Sequence, residues 1–239
     1  TLDAHSIGSV ERIKSRFSKI YPELEIIVHA AASWEEDPSS LLKTKEDLAR
    51  ANMVLITLVF LEDHISAILP DLKKAREKCD LMLGLVSSKE IVNLTKMGGL
   101  DMSKPSSGVL KFLKKLRGDK NKVTGGEKQM AILRQIPKVL KFIPGKAQDL
   151  RAYFLSMQYW LAGSEENIES LFCYLLSRYS SFHNSTKIEI KSPVEYPETG
   201  LYHPDLPKKI TENISEIPFA KHSIGTVGLL LMRSYVLSG

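Results

Sequence analysis

The chain has 239 residues, 43% hydrophobic and 26% charged, which suits a globular polypeptide of one or two domains. Its longest apolar run, within 53–61, is far shorter than the ~20 residues a membrane span requires, and no charged leader with an apolar run opens the chain. Cys79 and Cys173 each fall inside an apolar helical pattern and read as buried thiols of a reducing, cytoplasmic compartment, while the net charge of +5 is unevenly spread.

Taken in order, residues 1–97 alternate strand and helix. Thr1-Leu2-Asp3 reads as the end of a strand. A helix is expected over Ser9–Ile20, with Val10, Ile13, Phe17 and Ile20 on one face. Pro22 breaks it, and Leu24–Ala30 reads as a short apolar strand. Asp37-Pro38 opens the next helix with Pro in its first turn and Leu41, Leu42 and Leu48 facing inward. Met53–Leu61 is the strongest strand, apolar throughout as a doubly covered parallel strand should be. Helix 65–78, strand Leu81–Val86 and helix Lys89–Met97 follow. The alternation implies an α/β fold with a Rossmann-like, doubly wound parallel sheet over 1–118. No G-x-G-x-x-G follows the first strand, so a dinucleotide has no support.

Beyond Gly98-Gly99, the stretch Lys104–Lys122 holds seven basic residues and one acid, Asp119. Val109, Leu110, Leu113 and Leu116 give it a helical stripe over about Ser107–Leu116. It reads as a solvated helix face or as a docking surface for a partner or a peripheral membrane contact; with Phe112 its only aromatic, nucleic acid is not implied. A polar loop, 117–126, and a helix over 127–142 with Met130, Leu133, Ile136 and Leu140 come next, Pro137 kinking the helix or ending its first half. From Ala147, the residues Leu150, Phe154, Met157 and Leu161 mark an amphipathic helix. Gly163 stops it, and Ser164 caps a second helix lined by Ile168, Leu171, Phe172, Leu175, Leu176 and Tyr179. This α-helical hairpin organises a module over 119–182. Residues 183–239 read as an extended linker, with a short strand at Lys187–Ile190, leading into the first strand of a further domain, Val227–Met232. Both ends look cut, so the chain reads as a fragment.

Parallel open sheets bind ligands outside the carboxyl ends of their strands. Those ends carry Asp3 and His5, then His29, Ala31 and Trp34, then Glu62, Asp63 and His64, then Ser87, Ser88 and Glu90. His5, His29, Trp34, Glu62 and His64 therefore form a candidate polar edge. The bland alternative is scaffolding, with acids such as Asp63 and Glu90 serving as helix caps. No catalytic residue and no metal ligand set is assigned: H-E-x-x-H, C-x-x-C and a nucleophile elbow are missing from the sequence.

The run KFIPGKAQDLRAYFLSMQYWLAGSEENIESLF (141–172) is similar to the large porphyrin-binding component of magnesium chelatase, its H subunit, in the bacteriochlorophyll-pathway form. The resemblance extends through MVLITLVFLEDH (53–64), LTKMGGLDM (94–102), EYPETGLYHP (195–204) and TVGLLLMRSY (226–235), and so covers essentially the whole chain. It implies ATP-dependent insertion of Mg2+ into protoporphyrin IX on the way to chlorophyll and bacteriochlorophyll, a ligase reaction forming nitrogen–metal bonds. Mg2+ and protoporphyrin IX would be substrates of the complete large subunit, and ATP would be used by separate ATPase motor subunits. The absence of G-x-x-x-x-G-K-[ST] from this sequence agrees with that division. The chain would be the amino-terminal part, inactive alone and binding none of these groups by itself. Tyr153, Phe154, Tyr159 and Trp160 read first as hairpin core, and only the resemblance suggests stacking on a macrocycle. Two alternatives stand beside it: the cobalt chelatase large subunit of cobalamin synthesis, and a stand-alone α/β ligand or interaction module.

Overall fold

A computed structural model of the chain describes residues 1, 7–104, 135–181, 188–197, 199–218, 228–231 and 236–237. The order is α1 (Ile7–Ile20), α2 (Ser33–Glu36), α3 (Pro38–Arg50), β1 (Met53–Thr57), α4 (Glu62–Lys78), β2 (Leu81–Leu85), α5 (Lys89–Val92), β3 (Lys96–Met97) and β4 (Leu100–Asp101). A helical turn over 135–140 precedes α6 (Lys146–Ala162) and α7 (Glu165–Tyr179), and a small ladder, β5 (Leu201–Tyr202) with β6 (Ile210–Thr211), follows. The fold is mixed α/β.

One sheet of order β1-β2-β3-β4 organises the core. β1 and β2 are parallel, Met53 beside Leu81 through Thr57 beside Leu85, and β3 and β4 continue antiparallel. Side chains alternate along a strand, so each strand feeds two layers. Val54, Ile56 and Met82 face Ile65, Ile68, Leu72 and Ala75 of α4. Leu81, Leu83 and Leu85 face the opposite way, against Leu150, Tyr153, Phe154 and Leu171 of α6 and α7. The helical hairpin is thus the sheet's second covering layer. β2, buried at every position, is the apolar run a doubly covered strand needs. Each such Leu or Ile side chain contributes ~1.5–3 kcal/mol by leaving water. α1 lies outside α7, with Val10, Ile13 and Phe17 against Ile168, Cys173 and Leu176.

The hairpin matches its sequence closely. Gly163 caps α6 at φ 73°, and the Ser164 hydroxyl accepts from the Asn167 N–H to start α7. Asp37 likewise accepts from Ser39 N–H ahead of Pro38, as expected of α3. Several expectations are corrected. Ile20 and Leu42 are exposed, and Tyr21 and Thr44 are buried beside them instead. Leu24–Ala30 makes no ladder among the described residues, although Leu24, Ile26 and Val28 line the α1–α7 cluster. Thr1 accepts from Ala31 N–H and donates to the His29 carbonyl, the hydrogen-bond pattern of parallel neighbours.

β1 ends at Thr57 rather than Leu61, because Leu58 turns into the left-handed region at φ 61°. The helix expected over Lys89–Met97 stops at Val92, and Lys96–Met97 pairs back with Leu100–Asp101 around Gly98-Gly99. Two long-range bonds decide this. The Gly84 N–H is taken by Thr95 Oγ1 at 3.1 Å, and the Gly99 N–H by Asp149 Oδ2 at 2.8 Å. Of the expected strands at 187–190 and 227–232, the described residues 188–190 and 228–231 form no ladder, and Leu229–Leu231 are exposed. The ladder of this region is instead β5–β6, where Gly200 lets the backbone lie against Ile210 and Thr211. The basic helix, the loop 117–126 and the first half of the helix over 127–142 lie outside the described residues.

Candidate functional site

The carboxyl ends of β1 and β2 are joined by three hydrogen bonds, two between backbone groups and one to a serine hydroxyl. Leu58 N–H donates to Val86 O at 3.0 Å, Val59 N–H to Ser87 Oγ at 3.2 Å, and Ser88 N–H to Val59 O at 2.9 Å. Both Leu58 (φ 61°) and Val86 (φ 44°) sit in the left-handed region, which costs ~1–3 kcal/mol per residue and is unusual above all for a β-branched side chain. Phe60 and Leu61, between this turn and α4, are each 51% exposed.

α4 starts there with His64 in its first turn. His64 is only 3% exposed, and its Nε2 lies 3.0 Å from Glu35 Oε1. The ring meets Trp34 edge-on at 5.7 Å, and Trp34 Nε1–H donates to Thr44 Oγ1 at 3.1 Å. With Nε2–H donating to Glu35, Nδ1 is left as a buried acceptor without a hydrogen-bond partner. A second pair stands nearby in sequence: His29 Nε2 lies 2.9 Å from Asp47 Oδ2. Burial pushes the Asp47 carboxyl up, but Arg50 and His29 outweigh it and hold Asp47 below the ordinary carboxylate range.

Of the expected edge, Trp34 and His64 are brought into contact, while His29 is engaged in its own pair. Glu62 is exposed on the first turn of α4, and His5 lies outside the described residues. Glu35, Thr44 and Asp47 complete the cluster and were not foreseen. Glu35 was legible only as the neighbour of Trp34; Thr44 and Asp47 are seen only once α3 is placed beside those loops. The capping explanation for the acids does not hold: the N-cap of α4 is Leu61, with no side-chain cap, and α5 is capped by Ser88, whose hydroxyl accepts from Ile91 N–H. Among the described residues no group of three or more His, Cys, Asp and Glu is placed to hold a metal ion. The cluster can present apolar and acidic surface beside the two strand ends.

An open cleft of about 510 Å³ shares no residue with this edge; Glu195, Tyr196, Lys208, Glu212 and Glu216 are among those lining it. Glu216 there accepts from Thr211 Oγ1–H at 2.7 Å. Of the aromatics in α6, Tyr153, Phe154 and Tyr159 are buried in the core, and Trp160 is half-buried between the two hairpin clusters.

A family model described as a domain of unknown function (DUF3479) matches residues 1–154, and one described as CobN/Magnesium Chelatase matches 157–239. The boundary falls inside α6. The chain is 52% identical over all 239 residues to the magnesium-chelatase H subunit of Cereibacter sphaeroides. It is 48% identical over the same span to that of Rhodobacter capsulatus, and 28% identical over 205 residues, 81% of the chain, to the chloroplastic magnesium-chelatase ChlH protein of Oryza sativa subsp. indica. The chain spans 20% of the length of the two bacterial relatives and 15% of the plant one.

Proposed function

We propose that the chain, which belongs to the DUF3479 family by its match over 1–154, is part of the porphyrin-binding H subunit of a magnesium chelatase. The observation that carries this is identity above one half along the entire chain, with no stretch left unmatched. The reaction inserts Mg2+ into protoporphyrin IX in a cytoplasmic enzyme of chlorophyll and bacteriochlorophyll synthesis. Mg2+ gives up its water reluctantly, a physical reason for coupling insertion to ATP hydrolysis on partner motor subunits. The work of this part is substrate capture, gating or subunit contact. His29, Trp34, Glu62 and His64, with His5, are the residues of its polar edge. The β1–β2 pair is the centre of a Rossmann-like sheet spanning 1–118, which the parallel bonding of Thr1 beside Ala30 supports. The helical module is 119–182, and 183–239 is the linker toward a further domain.

The family model at 157–239 is described as CobN/Magnesium Chelatase rather than as magnesium chelatase alone, and cobalt insertion, the alternative the sequence left open, is the second reading. One assay separates them. The full-length polypeptide carrying this chain, mixed with the motor subunits, ATP, Mg2+ and protoporphyrin IX, should form fluorescent magnesium protoporphyrin. The 239-residue chain in its place should form none. Cobalt insertion in place of magnesium by the full-length polypeptide, or activity of the short chain alone, would defeat the proposal.

A further inference from the structure

The carboxyl end of the parallel pair combines features that the scaffold does not need. Leu58 and Val86, bonded to each other across the two strand ends, are both held in unfavourable backbone conformations, and Phe60 and Leu61, two and three residues after Leu58, each stand 51% exposed. Strain kept in place by surrounding bonds points to use, since a relaxed turn would otherwise be favoured. Three residues after Leu61, in the first turn of α4, His64 carries the one buried histidine nitrogen among the described residues that lacks a hydrogen-bond partner, Nδ1. The segments 34–36, 58–64 and 86–91 carry five acids, Glu35, Glu36, Glu62, Asp63 and Glu90, against one strong base, Lys89. Glu35 is 68% exposed. Among the described residues, Glu36, Glu62, Asp63 and Glu90 make no ion pair and serve as no cap.

We propose that this tip, with Phe60 and Leu61 at its centre and acids around them, is a docking surface for a basic amphipathic segment of a partner polypeptide. The charge selects that occupant. An acidic rim repels phosphates, so neither nucleic acid nor an anionic membrane surface fits it. A helix with apolar residues at i, i+3 and i+4 and lysines or arginines on its flanks places its apolar stripe on Phe60 and Leu61 and its cations on the rim. The apolar pair then governs dissociation, and the rim governs the encounter rate and its salt dependence. The surface meets the polar edge proposed above at Glu62 and names a partner for it, but it does not depend on the chelatase reaction.

The test is a titration of the full-length polypeptide with a labelled synthetic helix of Leu and Lys at amphipathic spacing. A matched Leu/Glu helix and phosphatidylglycerol vesicles serve as competing occupants. Phe60→Ser with Leu61→Ser should weaken the Leu/Lys helix at least ~tenfold, as loss of a central apolar contact does. Glu62→Lys with Asp63→Lys should weaken it by a similar factor at low salt and flatten the salt dependence. All four side chains are exposed, so the fold survives either change. Unaltered binding in either double variant, or equal binding of the Leu/Glu helix, overturns the proposal. Vesicle binding that is lost with Phe60 and Leu61 would assign the surface to a membrane and overturn it equally. The titration reads the surface whether or not the polypeptide inserts Mg2+, so failure of either reading leaves the other standing.

Discussion

The α6–α7 hairpin and the antiparallel end of the sheet, β3–β4 with its turn, pack against each other yet are specified in opposite ways. In the hairpin, local signals agree: an apolar stripe, a glycine at φ 73°, and a serine whose hydroxyl caps the next helix three residues on. At β3–β4 the decisive partners are remote. Asp149, 50 residues along the chain from Gly99, accepts from the Gly99 N–H, and Tyr179 O–H donates to the same carboxylate at 2.8 Å. Arg76, 25 residues before Asp101, reaches it at 2.5 Å. One region is held by apolar burial close in sequence, the other by polar clamps from afar. They should therefore fail in different ways.

The largest effect is expected in the hairpin. Phe154 is almost completely buried, and Phe154→Ala should cost ~3–5 kcal/mol, a large share of the ~5–15 kcal/mol that stabilises a domain. Trp160 is only half-buried, so Trp160→Ala should cost roughly half as much, in proportion to the area it hides. Urea denaturation of the two variants checks the order. Equal losses would mean that Trp160, not the α6 stripe, anchors the hairpin.

The two glycines sharpen the comparison. A Cβ at Gly163 would meet nothing closer than Trp160 O at 3.9 Å, so Gly163→Ala should cost only the left-handed backbone, ~1–2 kcal/mol. At Gly98, φ is 54° and a Cβ would lie 2.7 Å from Asp149 Oδ2. Gly98→Ala should therefore add the loss of the clamp to the backbone cost, ~2–3 kcal/mol in all. Asp149→Ala should remove most of the difference between the two glycine variants. If Gly163→Ala is the more damaging, the long-range clamp is not what holds the β3–β4 turn.

The same division explains how much was legible in the sequence. α1, α3, α4 and the hairpin were readable because their periodicity and caps act within a few residues. Ile20 and Leu42 were misplaced because the burial of Tyr21 and Thr44 depends on how α1 and α3 meet other layers. The helix expected over 89–97 failed because propensity cannot register Thr95 bonding Gly84 or Asp149 bonding Gly99. At the candidate edge, Trp34 and His64 were found by reading strand ends, but their partners Glu35 and Thr44 sit in helices whose placement only the tertiary structure supplies. The left-handed turns at Leu58 and Val86 have no sequence signal at all, since neither residue favours that conformation.

The smallest effect, and the one that separates the regions by chemistry, depends on pH. Burial pushes the Asp101 carboxyl up, but the Ser103 hydroxyl and N–H and the Arg76 guanidinium more than offset it and hold Asp101 at about 2, against 3.8 when free. A carboxyl depressed on folding stabilises the folded state above its unfolded pKa, and that contribution is lost as pH falls through about 4 toward about 2. At ~1.4 kcal/mol per unit the whole shift is worth at most ~2.5 kcal/mol, and because Asn keeps an acceptor oxygen for Ser103 and Arg76, Asp101→Asn should destabilise the protein by about 1–2 kcal/mol near neutrality and by almost nothing near the folded pKa. The Phe154→Ala loss involves no titrating group and should keep its size across the same range. Denaturation midpoints of both variants against the parent at several pH values give the two curves. A flat Asp101→Asn difference would show that the Arg76–Asp101–Ser103 contact is not a charged clamp, and the contrast between an apolar hairpin and a polar sheet end would lose its electrostatic half.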